Sequence, residues 1–310
     1  MKSLLLSSLA SALLASTPLA QQPTIAERLG HPKDAKLLIL HADDLGVAHS
    51  ENAASFDALD KGVINSASVM MPTPWVTEVA NYMKAKPNAD IGLHLTLTSE
   101  WETYRWGSVE SRDKVPSLHD ADGTLPRGTQ AVTQRAKLDE VERELRAQVE
   151  RALAIGIKPT HLDSHMGALF GTPELFGVYA KVARSYRLPF LTFIGNPAAA
   201  NGAVLTPGDI VLDAVIIAGD ETPTNGWKQW YLDQIKNLKP GLSEILVHLG
   251  YDDAELQAVT VNHPAYGSAW RQRDYDVVNS AEFKQALKDN KIVLVTWRDL
   301  HKLLPAAPQP

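Results

Sequence analysis

Short apolar runs alternate with amphipathic helical patterns along most of the chain. The run over 37–42 is continuous and ends in Asp43 and Asp44, which is typical of a parallel strand buried on both faces. Apolar residues recur every three or four positions over 138–153, just before Gly156, which predicts an amphipathic helix. The same reasoning predicts strands at 37–42, 64–71, 90–98, 160–165, 189–194, 210–217, 243–249 and 291–296, and helices at 50–61, from about 74, and at 138–153, 173–187, 226–238 and 280–290.

This alternation predicts an α/β fold, a single (β/α) barrel that is TIM-like and possesses seven or eight strands. An open doubly wound sheet is the weaker interpretation, because no glycine-rich loop follows the first strand. One catalytic domain is expected over 21–310, with its core at about 36–303. The stretch 99–133 is too long for an ordinary connection and is predicted to be an insertion of the functional or mobile kind. The proline-rich segment 305–310 is expected to be a disordered tail.

The first twenty residues have the layout of a secretory signal peptide. Lys2 precedes an apolar run over 4–15, and Pro18-Leu19-Ala20 offers small residues for cleavage before Gln21. The apolar run is shorter than the roughly 20 residues that span a bilayer, so a retained membrane anchor is the weaker alternative. The sequence therefore predicts an exported protein, periplasmic or secreted, with no membrane association after cleavage.

Composition narrows the possible chemistry. The chain has 310 residues and no cysteine, which excludes thiolate nucleophiles and cysteine-ligated metals. Its formal net charge of −6 offers no electrostatic reason to expect nucleic acid as a partner. The oligomeric state is not indicated.

Polar residues follow the predicted strands at the end where barrel active sites form. Asp43 and Asp44 are adjacent carboxylates after an apolar strand, an arrangement suited to one metal ligand beside one general base. The alternative is an exposed turn in which Asp44 caps the next helix. His94 lies in the strand predicted at 90–98, where a histidine on its own would more often be a hydrogen-bonded core residue.

Three ionisable residues share one face of the strand predicted at 160–165, since side chains alternate along a strand. His165 is nearest the carboxyl end and is the better candidate ligand, whereas Asp163 could orient a neighbouring imidazole. The alternative is that His161, Asp163 and His165 are hydrogen-bonded polar residues at a barrel rim. One carboxylate and two imidazoles suit zinc or a similar divalent ion and do not suit calcium.

These motifs resemble the YdjC-like carbohydrate deacetylases, a group that includes chitooligosaccharide deacetylases and is similar in its metal site to polysaccharide deacetylases. The matching segments occur in family order over about 37–300. They are His41-Ala42-Asp43-Asp44-Leu45-Gly46, the strand over 91–98, Lys158-Pro159-Thr160-His161-Leu162-Asp163-Ser164-His165, His248, and Arg271-Gln272-Arg273-Asp274.

The resemblance implies a role for each matching residue. Asp44, His94 and His165 would hold one divalent ion, zinc or magnesium. Asp43 would be the general base and His248 the acid facing the leaving group. His161, Asp163, Arg271 and Asp274 would support this site or the substrate.

Two segments depart from the family pattern. Met166-Gly167-Ala168-Leu169 replaces the further histidines that often follow the second ligand motif, which changes a pocket wall. No proline follows His248, which continues as Leu249-Gly250.

The implied reaction is metal-assisted hydrolysis of an N-acetyl group from an amino sugar or oligosaccharide. Trp101, Tyr104 and Trp106 in the insertion are candidate contacts for the carbohydrate, because aromatic faces stack on sugar rings. The alternative is a loop anchored by its own aromatic residues. Two other functions stay open: an O-acetyl esterase or other hydrolase using the same ion, and a non-catalytic glycan-binding protein.

Overall fold

The computed structural model describes residues 23–305, so the segment predicted as a signal peptide and residues 306–310 of the predicted tail lie outside the described residues. Within that range seven parallel strands form one sheet. The strands are β1 Lys36–Leu45, β2 Ser66–Val69, β3 Ile91–Leu95, β4 Leu162–Ser164, β5 Ala214–Ile217, β6 Gly241–Val247 and β7 Ile292–Leu294.

Twelve α-helices accompany these strands in the described range. They are α1 Ile25–Arg28, α2 His49–Asp60, α3 Val76–Ala85, α4 Thr129–Arg135, α5 Leu138–Ala154, α6 Pro173–Ser185, α7 Pro197–Ala200, α8 Trp227–Asn237, α9 Ala254–Val259, α10 Ser268–Asn279, α11 Ala281–Asp289 and α12 Trp297–His301. None of these helices is long and apolar enough to cross a membrane.

The sheet has the strand order β4-β3-β2-β1-β6-β5, and β7 pairs with the first residues of β1. Its two edges approach each other through the segment 189–193, which falls within the strand that the sequence predicts at 189–194. That segment makes only isolated parallel bridges, Leu162 with Phe190 and Phe193 with Leu212. The prediction of an α/β barrel is confirmed, and the barrel is irregular because this segment pairs through single bridges.

Side-chain alternation along β1 separates two apolar clusters. Leu38 and Leu40 belong to the larger cluster, which contains most of the helical apolar residues. Leu37 and Ile39 belong to a second cluster with Leu242 and Trp297. Odd-numbered positions of β1 therefore face the barrel interior, and the next two odd positions along the strand are His41 and Asp43.

The insertion at 99–133 is ordered by contacts with the barrel. It contains a 3-10 helix at Pro116–Leu118 and the start of α4. Glu144 on α5 accepts hydrogen bonds from the backbone N–H groups of Val109 and Glu110, both at 2.9 Å. The long irregular segment is thus attached to the outer face of the barrel next to β3.

Candidate metal centre

The end of β1 is distorted so that two successive carboxylates face the same cavity. The pairing of β1 with β2 shifts register between Ala42 and Leu45, and Asp44 has a φ of +64°. Gly46 follows with a φ of +93°, and a β-carbon there would lie only 3.0 Å from Thr73 Oγ1. An ideal strand would send Asp43 and Asp44 to opposite faces, so this irregularity is what brings both side chains into one site.

Three of the predicted metal ligands converge at the cavity. Asp44 Oδ1 lies 3.4 Å from His94 Nε2 and 3.2 Å from His165 Nδ1. All three residues are buried, and their ligand atoms lie within 4.8 Å of one another. Asp44 Oδ1 and His165 Nδ1 have no hydrogen-bond partner. Because buried polar atoms are rarely left unpaired, these convergent atoms fit a site for one divalent cation.

A carboxylate orients each of the two imidazoles. His94 Nδ1 lies 2.6 Å from Asp163 Oδ1, and His165 Nε2 lies 3.0 Å from Glu100 Oε2. A ring N–H donated to the carboxylate leaves the lone pair of the other ring nitrogen directed at Asp44. Both histidines are therefore held in the tautomer that a metal ligand requires.

The charges around the cavity favour a bound cation. Burial alone would raise the pKa of Asp44, but the guanidinium of Arg271 and the neighbouring His165 hold it well below its usual range. Burial alone would lower the pKa of His165, but the carboxylates of Glu100 and Asp44 raise it well above its usual range. The site attracts positive charge, which a divalent ion would supply in place of protons.

A second buried cluster of possible ligands, His41, His161 and Asp163, lies deeper in the barrel. His41 already contacts Ser66 Oγ and Ser68 Oγ, each at 3.0 Å, through its two ring nitrogens. Both oxygens of Asp163 are also occupied by hydrogen bonds. This cluster is therefore a hydrogen-bonded support beneath the cavity and has few free donor atoms for an ion.

His161 lies apart from the cavity, although the sequence groups it with Asp163 and His165. Its ring stacks on Trp297 with centroids 4.9 Å apart, and it fills the space where a side chain of Gly92 would otherwise lie. Burial and the nearby His41 lower the pKa of His161 well below its usual range, so it is neutral. Its position is that of a core residue beneath the site.

The predicted base and acid face each other in the cavity. Asp43 Oδ1 lies 3.3 Å from His248 Nε2. The backbone N–H of His248 donates to Asp274 Oδ2 at 3.0 Å, and the other oxygen of Asp274 accepts from Trp227 and Tyr231. Asp274 therefore positions His248 from behind, although it does not line the cavity.

Arg271 joins the metal site to a carboxylate that the sequence motifs do not reveal. Its Nη2 donates to Asp44 Oδ2 at 2.8 Å, and its Nη1 lies 3.1 Å from Glu51 Oε1. Glu51 is on α2, and burial raises its pKa well above the usual range despite the opposing charge of Arg271. Glu51 and Glu100 are two charged residues of this site that sequence reasoning missed.

The three aromatic residues of the insertion pack mainly against one another. Trp101 lines the cavity and lies under the guanidinium of Arg271, 5.6 Å from it. Trp106 is buried and donates to the carbonyl of Thr98, while the hydroxyl of Tyr104 donates to the carbonyl of Val47. Trp106 and Tyr104 thus anchor the loop, and Trp101 is the one of the three that a ligand in the cavity could touch.

The fold and the site together define a (β/α)-barrel protein with a candidate hydrolytic metal centre at the carboxyl ends of its strands. The model of the YdjC-like protein family matches residues 37–289, and the chain belongs to that family.

Several proteins similar to this chain are named as deacetylases of carbohydrates. A carbohydrate deacetylase of Thermus thermophilus is 32% identical over 294 residues, which cover 90% of this chain and 99% of the relative. A chitooligosaccharide deacetylase of Yersinia pestis is 34% identical over 160 residues, covering 50% of this chain and 58% of the relative. A crystal structure from Enterococcus faecalis, described as a cellobiose-phosphate cleavage protein, has a TM-score of 0.73, is 25% identical, and covers 86% of this chain and 99% of its own.

Proposed function

We propose that this protein is a metal-dependent carbohydrate deacetylase that removes N-acetyl groups from amino sugars or oligosaccharides. The observation that carries the proposal is the convergence of Asp44 Oδ1, His94 and His165 beside the Asp43–His248 pair in one cavity. The substrate class comes from the family and from the names of its relatives. One divalent ion, zinc or magnesium, would be held by Asp44, His94 and His165.

The side chains divide the work of an amide hydrolysis. When bound, the ion supplies Lewis acidity at the scissile carbonyl and makes water more acidic. Asp43 accepts the proton of the attacking water, and protonated His248 donates a proton to the departing nitrogen. Each such transfer typically contributes about 10²–10⁴ in rate. Asp163 and Glu100 orient the imidazoles of His94 and His165 by hydrogen bonds, and Arg271 holds Asp44 in place.

The test measures acetate release from N-acetylated chitooligosaccharides by metal-loaded protein. Asp43→Asn should lower kcat by about 10²–10⁴ while the protein still binds its metal, because the amide cannot accept the proton. Asp34→Asn is the matched control, since Asp34 is exposed and remote from the cavity. No acetate release by metal-loaded wild-type protein across such a panel would contradict the proposal, and release from O-acetyl esters alone would identify an esterase instead.

We also propose, from the sequence pattern of residues 1–20, that the enzyme is exported to the periplasm or the medium. Cell fractionation of the full chain and of a chain lacking 1–20 would test this. Equal recovery of both in the cytoplasm would contradict export.

A further inference from the structure

The cavity above the candidate metal centre has two walls of opposite character. It encloses about 400 Å³, and the wall formed by β1, β3 and β4 carries the carboxylates and imidazoles. The facing wall comes from the 3-10 helix after β4, the segment 189–193, and strands β5 and β6. Six apolar side chains form it, namely Phe170, Leu191, Phe193, Val215, Ile217 and Leu246, whereas His165 at the start of that helix and His248 directly after β6 belong to the polar side of the cavity.

Strand register shows that this apolar wall extends below the level of the catalytic pair. Leu246 of β6 pairs with His41 of β1 and lies two residues before His248, which directly follows β6. Ile217 of β5 pairs in turn with Leu246. Since Asp43 also lies two residues beyond His41, the apolar side chains form a surface that descends along the barrel from the site of reaction.

A sugar ring is a poor occupant of that surface. None of the six side chains can donate or accept a hydrogen bond, whereas a sugar presents hydroxyl groups around its ring. Each hydroxyl that lost its water without a new partner would weaken binding markedly. The side of the cavity near Trp101, His263 and Tyr266 offers an aromatic face with polar groups and is the better place for carbohydrate.

We propose that the apolar wall is a binding site for an aliphatic acyl chain, so that the enzyme accepts N-acyl groups longer than acetyl as well as N-acetyl groups and hydrolyses the longer ones more efficiently. This inference rests on the proposed function. The acyl group is attached to the carbonyl carbon that is attacked, so its chain begins at the metal site and can enter the wall directly. An apolar aglycone would be separated from that carbon by the sugar itself.

The chemistry balances as an ordinary hydrolysis. Water adds its oxygen to the amide carbonyl carbon, the bond between carbon and nitrogen breaks, and the nitrogen takes up a proton. The products are the free amino sugar and an aliphatic carboxylate, with no change in oxidation state.

The test compares kcat/KM for glucosamine carrying N-acetyl, N-butanoyl, N-hexanoyl and N-octanoyl groups, using metal-loaded protein. Burying one methylene is equivalent to about a fourfold gain, or about 0.8 kcal/mol, so at least a tenfold rise from acetyl to hexanoyl is expected. A steady fall with chain length would overturn the proposal. So would a gain seen only with alkyl glycosides of N-acetylglucosamine, because that result would assign the wall to an aglycone.

Two matched variants locate the effect. Ile217 is 39% exposed at the rim of the wall, so Ile217→Asn should fold and should reduce the gain from acetyl to hexanoyl to about threefold or less. Ile194 is 67% exposed and does not line the cavity, so Ile194→Asn should keep the full gain. Equal gains in both variants would overturn the assignment of the wall.

Binding of the product carboxylates gives a readout that does not need turnover. Titration calorimetry of metal-loaded protein should show octanoate binding at least tenfold more tightly than acetate, and Ile217→Asn should reduce that difference. If the protein hydrolyses no amide yet shows this preference, the proposed function fails and the acyl site stands. If it releases acetate but shows no chain-length preference in rate or binding, the acyl site fails and the proposed function stands.

Discussion

The two histidines of the metal site are oriented by carboxylates from very different parts of the molecule. His94 lies opposite Asp163 in the pairing of β3 with β4, and Asp163 also accepts from Ser68 and lies 3.1 Å from His41. His165 instead relies on Glu100, which belongs to the insertion after β3. Asp163 lies in a strand of the sheet, whereas Glu100 lies in a loop.

Asp163 is therefore held in place by backbone pairing between strands, whereas Glu100 is held by the side-chain contacts that attach its loop to the barrel. The position of Asp163 follows from sheet register and from a buried network, in which every neighbour restrains the others. The position of Glu100 is only as firm as the attachment of the insertion, which depends on contacts such as Glu144 with the backbone of 109–110. We therefore expect changes in the strand-borne support to weaken metal binding more than changes in the loop-borne support.

The largest effect on metal affinity is expected for Asp163→Asn. The amide of asparagine has only one acceptor oxygen, so it cannot accept from both His94 and Ser68, and the negative charge beside His41 and His94 is lost, so affinity should fall about 100-fold. Competition with a chromogenic chelator measures the change. Asp209→Asn, which weakens an ion pair with Arg184 outside the cavity, is the control and should leave affinity unchanged. Wild-type affinity in Asp163→Asn would remove the basis of the comparison.

A smaller loss is expected for Glu100→Gln. The amide oxygen can still accept from His165 Nε2, but the negative charge that strengthens the imidazole as a ligand is gone, so affinity should fall about tenfold. Glu110→Gln is a control in the same insertion, because the Glu110 side chain contacts only Ser111 and Lys114. A loss in Glu100→Gln as large as in Asp163→Asn would show that loop and strand supports are equivalent.

The smallest effect on metal affinity is expected for a change at Glu144, which attaches the insertion to α5. The main expected effect of that change is on the pH dependence of the free energy of unfolding. Burial raises the pKa of Glu144 to about 7, although the N–H groups of Glu110 and Val109 oppose the shift. Its pKa is higher in the folded state than the ordinary 4.5, so its stabilising contribution is complete below pH 4.5 and is lost as the pH rises through 7.

Glu144→Gln should remove that pH dependence, which is on the order of 1–3 kcal/mol, and change metal affinity by less than threefold. Urea unfolding of metal-free protein between pH 4.5 and 8 measures the difference from wild type. Glu150→Gln on the same helix is the control, since Glu150 is exposed and contacts the Tyr186 hydroxyl. An unchanged pH profile in Glu144→Gln would assign the pH dependence to other buried groups.

Much of the site could be predicted because polar residues at the ends of apolar strands are unusual in sequence. Asp44, His94 and His165 each follow or interrupt such a run, and barrel topology brings those ends together. Glu100 and Glu51 carry no comparable signal, because their partners are 65 residues away in His165 and 220 away in Arg271. Helix α10 was also missed, since charged residues interrupt its apolar pattern from Ser268 to Asn279.

The sequence by itself determined the order of the main strands and longer helices, the barrel class and the residue types available for chemistry, because hydrophobic periodicity is a local property that each segment expresses alone. Tertiary structure decided the rest. The irregularity at Asp44 directs two carboxylates into one cavity, the path of the insertion brings Glu100 to His165, and strand register places Leu246 and Ile217 side by side in the apolar wall. These are contacts between distant segments, and their geometry depends on burial and packing that no single segment encodes.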